Sequence, residues 1–390
     1  MTAHPIFTDE HTTLRKSVRG FLSREIAPQI DEWEQSSFPD SVFPGFGAAG
    51  LLGLDKPAEF GGQGGDLTAT LVLAEELGRL NSAGVEMGVS VHTDMAMPPI
   101  VAFGSPEQQQ QWLGPAIAGT AILCLGISEP DAGSDVAAIR TNARRDGADW
   151  IISGSKMFIT NGLRADAIVL LTRSEGIGSG FTLFLLPMTL PGITRSRPLA
   201  KVGLCASDTA LITFDEVRVQ AAAVLGEPGR GFQHIMWELQ GERLTAAAYC
   251  VGAAEWLLET TARYARERHT FGRALVAHQA VGHKLAEMAV ALEAARQLVY
   301  SAAWQVQRGE YPIREISIAK LFAARSACDI ADAALQIHGG VGCMNEYGIE
   351  RAWRDLRVFR IAAGTDEIML DLIAREFGPK HQERHDRDHF

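Results

Sequence analysis

Apolar residues recur at helical spacing in the first and last thirds of the chain, whereas the middle third carries short, strongly apolar runs. From Asp9 to Trp33 the apolar positions fall three and four residues apart, which predicts an amphipathic helix that Pro28 kinks or ends. Asp66 to Leu80 has the same spacing, and the order Ser105-Pro106-Glu107 is typical of a helix start. Residues 1–119 are therefore predicted to form an α-helical domain.

The spacing changes near Thr120, where runs of strand length appear between turn residues. We therefore expect a β domain over residues 120–230. The runs that predict its strands are Ala121–Ile127, Trp150–Gly154, Ala167–Thr172, Phe181–Leu186 and Leu211–Val219.

Two glycine-rich segments have the composition of phosphate-binding loops but not the context. No strand precedes residues 61–65 and no Gly-Lys pair follows them, so a plain loop is favoured over a P-loop. Residues 176–180 are followed by a strand-like run where a dinucleotide loop needs a helix, so a hairpin loop is favoured.

Helical spacing returns near Gly231 and continues almost to the end. Gly231–Arg268, His278–Arg308 and Arg314–His338 are long and rich in alanine, which is typical of close-packed antiparallel helices. Residues 231–378 are therefore predicted to form a C-terminal helical domain. The charged stretch 379–390 has no apolar period, and we expect it to be a mobile tail.

Composition narrows the class of protein further. The 390 residues are 46% hydrophobic and 21% charged, so the chain can bury a large core. The net charge of -11 argues against a general affinity for nucleic acid or anionic membranes. No apolar run approaches a membrane span of about 20 residues, and the start of the chain is not signal-like. We therefore expect a cytoplasmic protein.

The five cysteines are odd in number and irregularly spaced. This pattern favours reduced thiols over a disulfide framework. No cysteine or histidine spacing indicates a metal site.

Two segments concentrate the candidate chemistry. Gly126–Asp135, GISEPDAGSD, leaves a predicted strand and enters a loop crowded with hydroxyls and carboxylates. Gln336–Ile368 joins two helical runs through two glycine turns, and Thr365, Asp366 and Glu367 can cap the following helix or present its N–H groups to an anion. Taken alone, the first segment is a turn and the second is a pair of helix caps.

Together the two segments resemble the two signatures of the acyl-CoA dehydrogenases. The second matches at Gln336, Gly339, Gly340, Gly342, Glu346, Arg351 and Asp355, and departs at Cys343, where the family prefers an apolar or aromatic residue. The resemblance extends from about Phe7 to Phe377. It implies an α+β protein with an N-terminal helical domain, a middle β-barrel-like domain and a C-terminal four-helix bundle. It also implies a role in fatty acid metabolism.

The resemblance implies FAD as the cofactor, bound between the β domain and the C-terminal helices. Phe158 stands where many relatives carry tryptophan, which keeps an aromatic face for the flavin but loses an indole N–H. Arg268, Phe271 and Gln279 match a segment that reaches FAD in a neighbouring subunit, and an arginine suits its pyrophosphate. The remaining matching positions are Leu125, Ile127, Ser128, Gly133, Ser134, Thr160, Gln336, Gly340, Thr365 and Glu367.

A shared cofactor requires at least a dimer, and the family's usual state is a homotetramer. The resemblance further implies α,β-dehydrogenation of an acyl thioester, with an acyl-CoA as substrate and an electron-transfer flavoprotein as the electron acceptor. A base removes the α proton while a hydride passes from the β carbon to the flavin.

The position of the base departs from many relatives. Ala363 stands before Gly364-Thr365, where those relatives carry the catalytic glutamate, and alanine cannot accept a proton. A minority of the family takes the base from the first long helix of the C-terminal domain, from a glutamate directly before an arginine. Here that residue is Glu242, with Glu238 four residues earlier on the same face. The substrate-contacting positions implied are Ser134, Leu239, Arg243, Ala363 and Gly364.

Two other functions remain open from the sequence. One is an oxygen-using flavin monooxygenase or oxidase of the same fold, which would not need the base Glu242. The other is a non-catalytic flavoprotein that binds DNA, against which the acidic charge argues. The residues do not define the length of the acyl chain or its carrier, CoA or a carrier protein.

Overall fold

A computed structural model describes residues 4–174, 176–178 and 180–377. Its helical, β and helical parts follow one another along the chain, which confirms the predicted three-part architecture. The exact boundaries at 119/120 and 230/231 stay predictions. The tail 379–390, which we expect to be mobile, lies outside the described residues.

Seven α-helices lie in the N-terminal part as the structure describes it, from residue 4 onward. The stretch that predicts one helix up to Trp33 is interrupted by a π-helical turn, Leu22–Ile26, and a 3₁₀ turn that contains Pro28. Proline has no N–H to donate, so this interruption is where the prediction places the kink. The helices are α1 Asp9–Phe21, α2 Ile30–Trp33, α3 Val42–Ala48, α4 Leu67–Arg79, α5 Ala83–Ser90, α6 Met97–Phe103 and α7 Pro106–Ile117.

Two of the predicted helices begin with side-chain caps, and the cap at Ser105 is the one that the sequence predicts. The Ser105 hydroxyl accepts a hydrogen bond from Gln108 N, and the Gln108 side chain accepts one from Ser105 N, which is a capping box at the start of α7. The Asp66 carboxylate accepts a hydrogen bond from Ala69 N at the start of α4. A π-helical turn, Val91–Ala96, links α5 to α6.

The strands of the described middle part are β1 Leu123–Gly126, β2 Asn142–Asp146, β3 Asp149–Thr160, β4 Ala167–Arg173, β5 Phe181–Pro187, β6 Ile193–Arg195, β7 Thr209–Val219 and β8 Val224–Leu225. They form one sheet in the order β6-β7-β3-β2-β4-β5-β8, with β1 pairing in parallel to β4. All five predicted strands are present, and β4 and β5, which flank the segment 176–180 in the sequence, pair as an antiparallel hairpin as expected. The sequence prediction missed β2, β6 and β8.

The C-terminal part is built on three long helices, as predicted. Its helices are α8 Gly231–Glu267, α9 Gln279–Gln307, α10 Ile313–His338, α11 Ile349–Phe359 and α12 Asp366–Ala374. A two-stranded hairpin, β9 His269–Thr270 and β10 Arg273–Ala274, connects α8 to α9. Helix α8 also packs on α4 of the N-terminal part with direct backbone contact, because a Cβ at Gly252 would lie 2.0 Å from the Glu75 carbonyl oxygen.

One buried carboxylate joins all three parts. Asp355 of α11 accepts hydrogen bonds from Ala83 N at the start of α5 (3.1 Å) and from Leu204 N between β6 and β7 (2.7 Å). Arg351, one turn earlier, donates to Asp31 Oδ1 of α2 at 2.5 Å. The second signature therefore holds the C-terminal helices against both other domains.

Candidate active site

Glu238 and Glu242 lie one turn apart on the same face of α8, in the interior of the molecule. Their exposed fractions are 2% and 8%. Burial raises the pKa of Glu242 to about 7, and the nearby positive charges of Arg243 and Lys320 limit the rise. Burial and the charge of Glu242 raise the pKa of Glu238 well above its ordinary value. The pair therefore holds a carboxyl that titrates near neutral pH.

The turn between α11 and α12 lies directly beside this pair. Arg243 Nε donates to the Ala363 carbonyl oxygen at 3.1 Å, and Lys320 Nζ of α10 donates to the Gly364 carbonyl oxygen at 2.5 Å. Ala363 has φ +57° and Gly364 has φ +93°, so two successive left-handed residues form the turn. The two cations hold the turn that carries Ala363 next to the helix that carries Glu242.

Thr365 starts α12 and its hydroxyl accepts a hydrogen bond from Ile368 N at 3.3 Å, as the sequence predicts for an N-cap. Asp366 is buried and accepts hydrogen bonds from Arg325 and Arg360, which lower its pKa against the effect of burial. Glu367 is exposed. Of the three polar residues, one caps the helix, one is held in an ion-pair network and one faces outward.

The first signature lies against the segment that contains Phe158. Met157 N donates to the Ser128 carbonyl oxygen, and Lys156 Nζ donates to the Ile127 carbonyl oxygen, both at 2.8 Å. Lys156 also forms a buried ion pair of 2.8 Å with Glu129. Phe158 has φ +64° and is 65% exposed, which is unusual for a large aromatic residue in a β-sheet. The strand therefore presents an aromatic face beside Ile127 and Ser128.

The other candidate positions differ in accessibility. Leu125, Thr160 and Leu239 are half-buried, and Thr160 pairs with Thr209 between β3 and β7. Gly133, Ser134, Gln336 and Gly340 are exposed. Apart from the local backbone and the adjacent residues, no atom of the described chain lies within 4 Å of a Cβ built on Gly340, so the backbone there is open to a ligand.

Arg268, Phe271 and Gln279 lie apart from both signatures, on and beside the β9–β10 hairpin. All three are exposed, and Phe271 at the hairpin tip has φ +50° and is 97% exposed. Among the described residues, no hydrogen bond connects this segment to either signature. Within one chain, the structure does not bring these residues to the rest of the candidate site.

The residues of the two signatures and of strand β3 suit the chemistry of a flavin nucleotide. Ser128, Ser134, Thr160 and Thr365 supply hydroxyl groups, and Phe158 supplies an uncovered aromatic face for a ring system. The N-terminus of α12 supplies N–H groups that suit a ring edge or an anion. The hydrogen-bonding groups and the aromatic ring at these positions are therefore of the kinds that bind FAD.

Sequence reasoning missed three ionisable residues next to the pair, the buried Lys320 and Glu86 and the half-buried Asp94. Lys320 holds Gly364, while Glu86 of α5 and Asp94 of the following π-helical turn contribute two further carboxyls. Glu86 is the only charged residue in α5, which is otherwise apolar or small. A charged residue in such an apolar run was the one sequence signal that Glu86 has a special role. The residues that lie near it in space depend on tertiary packing, which the local sequence does not show.

Three known domain families match the chain almost end to end. They are the acyl-CoA dehydrogenase N-terminal domain at residues 8–120, the middle domain at 124–217 and the C-terminal domain at 229–378. The long-chain specific acyl-CoA dehydrogenase of Sus scrofa mitochondria is 39% identical over 376 residues, covering 95% of this chain and 87% of that protein.

Two further comparisons point the same way. The mitochondrial short-chain specific acyl-CoA dehydrogenase of Rattus norvegicus is 38% identical over 372 residues, covering 94% of this chain and 89% of that protein. A solved glutaryl-CoA dehydrogenase from Mycobacterium smegmatis, in complex with FADH2, superposes with a TM-score of 0.92 at 32% identity and covers 97% of both chains. Relatives of different acyl specificity are thus about equally similar.

Proposed function

The chain belongs to the acyl-CoA dehydrogenase family, and we propose that it is an FAD-dependent enzyme that dehydrogenates an acyl-CoA or carrier-bound acyl thioester to the 2-enoyl thioester, with Glu242 as the base. One observation carries the assignment of the base. Glu242 is a buried carboxyl whose pKa is raised to about 7, on the helix tied through Arg243 to the turn where Ala363 replaces the usual acid.

The reaction needs a base that is ionised at working pH and basic enough to accept an α proton. Glu242 accepts that proton at its carboxylate as the α C–H bond breaks, and Arg243 fixes the Ala363 turn that borders the acyl group. Bound FAD supplies the acceptor for the hydride that leaves the β carbon. Because Glu242 is buried, water is kept away from the point where its carboxylate takes up the α proton.

The placement of FAD against Ile127, Ser128, Phe158 and Thr365 is part of the same proposal. Its support is the exposed face of Phe158, the hydrogen bonds that hold the first signature beside it, and the open start of α12. Leu239 and Ser134 are proposed to border the acyl thioester.

The monooxygenase alternative is less favoured because it gives Glu242 no role, and the two curated relatives described above are dehydrogenases. The non-catalytic alternative leaves the buried acids of α8 unexplained.

We extend the proposal to the setting of the enzyme. An electron-transfer flavoprotein accepts the electrons, the chains form a homotetramer, and the protein works in the cytoplasm. The five cysteines are free thiols, which suits a reducing compartment. None of the helices that the structure describes is both long and apolar enough to cross a bilayer.

The test of the base is Glu242→Gln, which keeps the shape of the side chain and removes the proton acceptor. We expect the variant to fold and to bind FAD, while reduction of the flavin by an acyl-CoA falls roughly 10²-fold or more. The measurement is single-turnover bleaching of the flavin without oxygen, over a panel of acyl-CoAs.

The matched control is Glu238→Gln, one turn away on the same face, which should slow bleaching by an alkyl acyl-CoA far less. Ala363→Glu in the Glu242→Gln background should restore part of the rate, because it returns an acid to the position used by many relatives. Bleaching at the parent rate by Glu242→Gln would falsify the assignment of the base.

A further inference from the structure

Three carboxyls besides Glu242 converge on the interior face of α8. Glu86 comes from α5, Asp94 from the π-helical turn after it, and Glu238 from α8 itself. Their charges interact: Asp94 and Glu242 act on Glu86, and Glu242 and Asp94 act on Glu238. The π-helical turn also packs against α8, so these carboxyls lie close to one another and to the proposed base.

Two of these acids are buried without the partners that a buried carboxyl needs. Glu238 is 2% exposed, and neither of its oxygens has a hydrogen-bond partner among the described residues. Glu86 is also 2% exposed. Its Oε1 accepts from Ser90 Oγ at 2.9 Å, and its Oε2 has no partner in the described part of the chain. An unpaired buried polar group is destabilising, so its persistence points to a ligand that supplies the partner.

The cations that act on these acids are engaged elsewhere. Arg243 donates to the Ala363 carbonyl oxygen, Lys320 to the Gly364 carbonyl oxygen, and Lys56 to Asp55 at 2.5 Å. Among the described residues, no group of histidine, cysteine, aspartate and glutamate side chains is arranged to hold a metal ion. The atoms of these acids that lack a partner are both oxygens of Glu238 and Oε2 of Glu86. An organic ammonium group has three N–H donors, which can supply a hydrogen bond to each of these oxygens.

The position of Glu238 defines where such a group would lie on a substrate. Four residues of helix separate it from Glu242, a rise of about 6 Å along α8. With the substrate's α carbon at Glu242, a chain that runs toward Glu238 reaches it after about five bonds.

We propose that the preferred substrate is an ω-aminoacyl thioester, whose protonated amine is held by Glu238 together with Glu86 and Asp94. The inference rests on the proposed function, because that function places the α carbon at Glu242. An alkyl chain of the same length would leave the same carboxyl oxygens unpaired, and a site built for polar groups discriminates against such an analogue. Burial raises the pKa of Glu86 to about 8 and that of Asp94 to about 6, and a cation between them opposes that rise by its charge.

The test compares two CoA thioethers of equal length that cannot be oxidised, S-(6-aminohexyl)-CoA and S-heptyl-CoA. Their dissociation constants are measured by isothermal titration calorimetry on the purified FAD-containing protein. We expect the amine to bind about 10- to 100-fold more tightly, the range of a charged hydrogen-bonded contact. Equal or tighter binding of the heptyl ligand overturns the proposal.

Variants test which carboxyls hold the amine of the ligand. Glu238→Gln keeps the volume of the side chain and removes its charge, so the preference for the amine over the heptyl ligand should fall to within a few-fold. Glu10→Gln, on the exposed face of α1, is the matched control and should keep the preference. A preference that survives both Glu238→Gln and Glu86→Gln also overturns the proposal.

The outcome is separable from that of the proposed function. If heptanoyl-CoA bleaches the flavin but the amine has no binding advantage, the dehydrogenase stands and the aminoacyl specificity fails. If the amine binds selectively and no acyl-CoA of either kind bleaches the flavin, the dehydrogenase reaction fails and the binding site stands. Neither thioether depends on Glu242 as a base.

Discussion

At the scale of single residues, the two glutamates of α8 are made unequal by their neighbours. Arg243 and Lys320 both stabilise the ionised form of Glu242. Glu238 has only Arg243 to offset burial, while Glu242 and Asp94 both oppose its ionisation. Within this coupled pair, Glu242 is therefore the carboxyl that loses its proton first as the pH rises.

The pH dependence of flavin reduction follows from this order. The pKa of Glu242 is raised from its ordinary 4.5 to about 7, and only its ionised form accepts a proton. Below pH 7 the carboxyl is protonated and the rate should fall about tenfold for each pH unit, whereas above pH 7 it should reach a plateau. Single-turnover bleaching with an alkyl acyl-CoA between pH 5.5 and 9 measures the profile. A profile that is flat, or that falls as the pH rises through 7, contradicts it.

Sequence alone was sufficient to propose Glu242, because the missing acid at Ala363 and the Glu-Arg pair are both visible in the chain. It was not sufficient for Glu86 and Asp94. Their importance depends on the π-helical turn after α5 packing against α8, and no local pattern encodes that contact. The exposure of the Phe158 ring likewise depends on its backbone φ of +64°, which the sequence does not predict.

At the scale of elements, long periodic segments were predictable and short polar ones were not. The three long helices of the C-terminal part lie within one residue of their predicted ends, since their apolar faces repeat over many turns. Strand β2 has the sequence Asn-Ala-Arg-Arg-Asp and is mostly exposed, so neither alternation nor burial marks it as a strand. It forms because β3 pairs with it along its whole length.

Helix α11 provides a prediction about stability. Asp355→Ala removes the acceptor of two buried N–H groups, at Ala83 and Leu204, and each unpaired group costs about 1–3 kcal/mol. We expect the free energy of unfolding to fall by roughly 2–6 kcal/mol, since both donors stay buried. Urea unfolding followed by circular dichroism measures the change. Asp371→Ala, on the exposed side of α12, is the control and should change little. Equal losses in the two variants would show that Asp355 does not hold the domains together.

At the scale of the whole molecule, the β9–β10 hairpin between α8 and α9 exposes its tip. Its tip carries Phe271, which is 97% exposed, beside the exposed Arg268 and Gln279. A large apolar side chain so exposed at the tip of a two-stranded ribbon is typical of a contact with another molecule. A neighbouring copy of the chain is the partner that the family resemblance implies.

We accordingly expect a homotetramer, or at least a dimer, in solution. Light scattering coupled to size-exclusion chromatography measures the mass, and absorbance measures the FAD content of the same peak. Phe271→Ser should lower FAD content without unfolding the chain, because residue 271 contacts little of its own subunit. Val290→Ser, at an exposed position of α9, is the matched apolar control. A monomeric mass with full FAD occupancy would be incompatible with a shared cofactor.

A cofactor shared through the β9–β10 hairpin would make the fraction of active enzyme depend on the concentration of the chain. If each cofactor is completed by a segment from a second chain, association and cofactor retention are linked equilibria, and each strengthens the other. Dilution then lowers cofactor occupancy even when free FAD is held constant, and added FAD favours assembly. A cell that makes this chain sparingly would hold a smaller fraction of it in the active form than a cell that makes it abundantly.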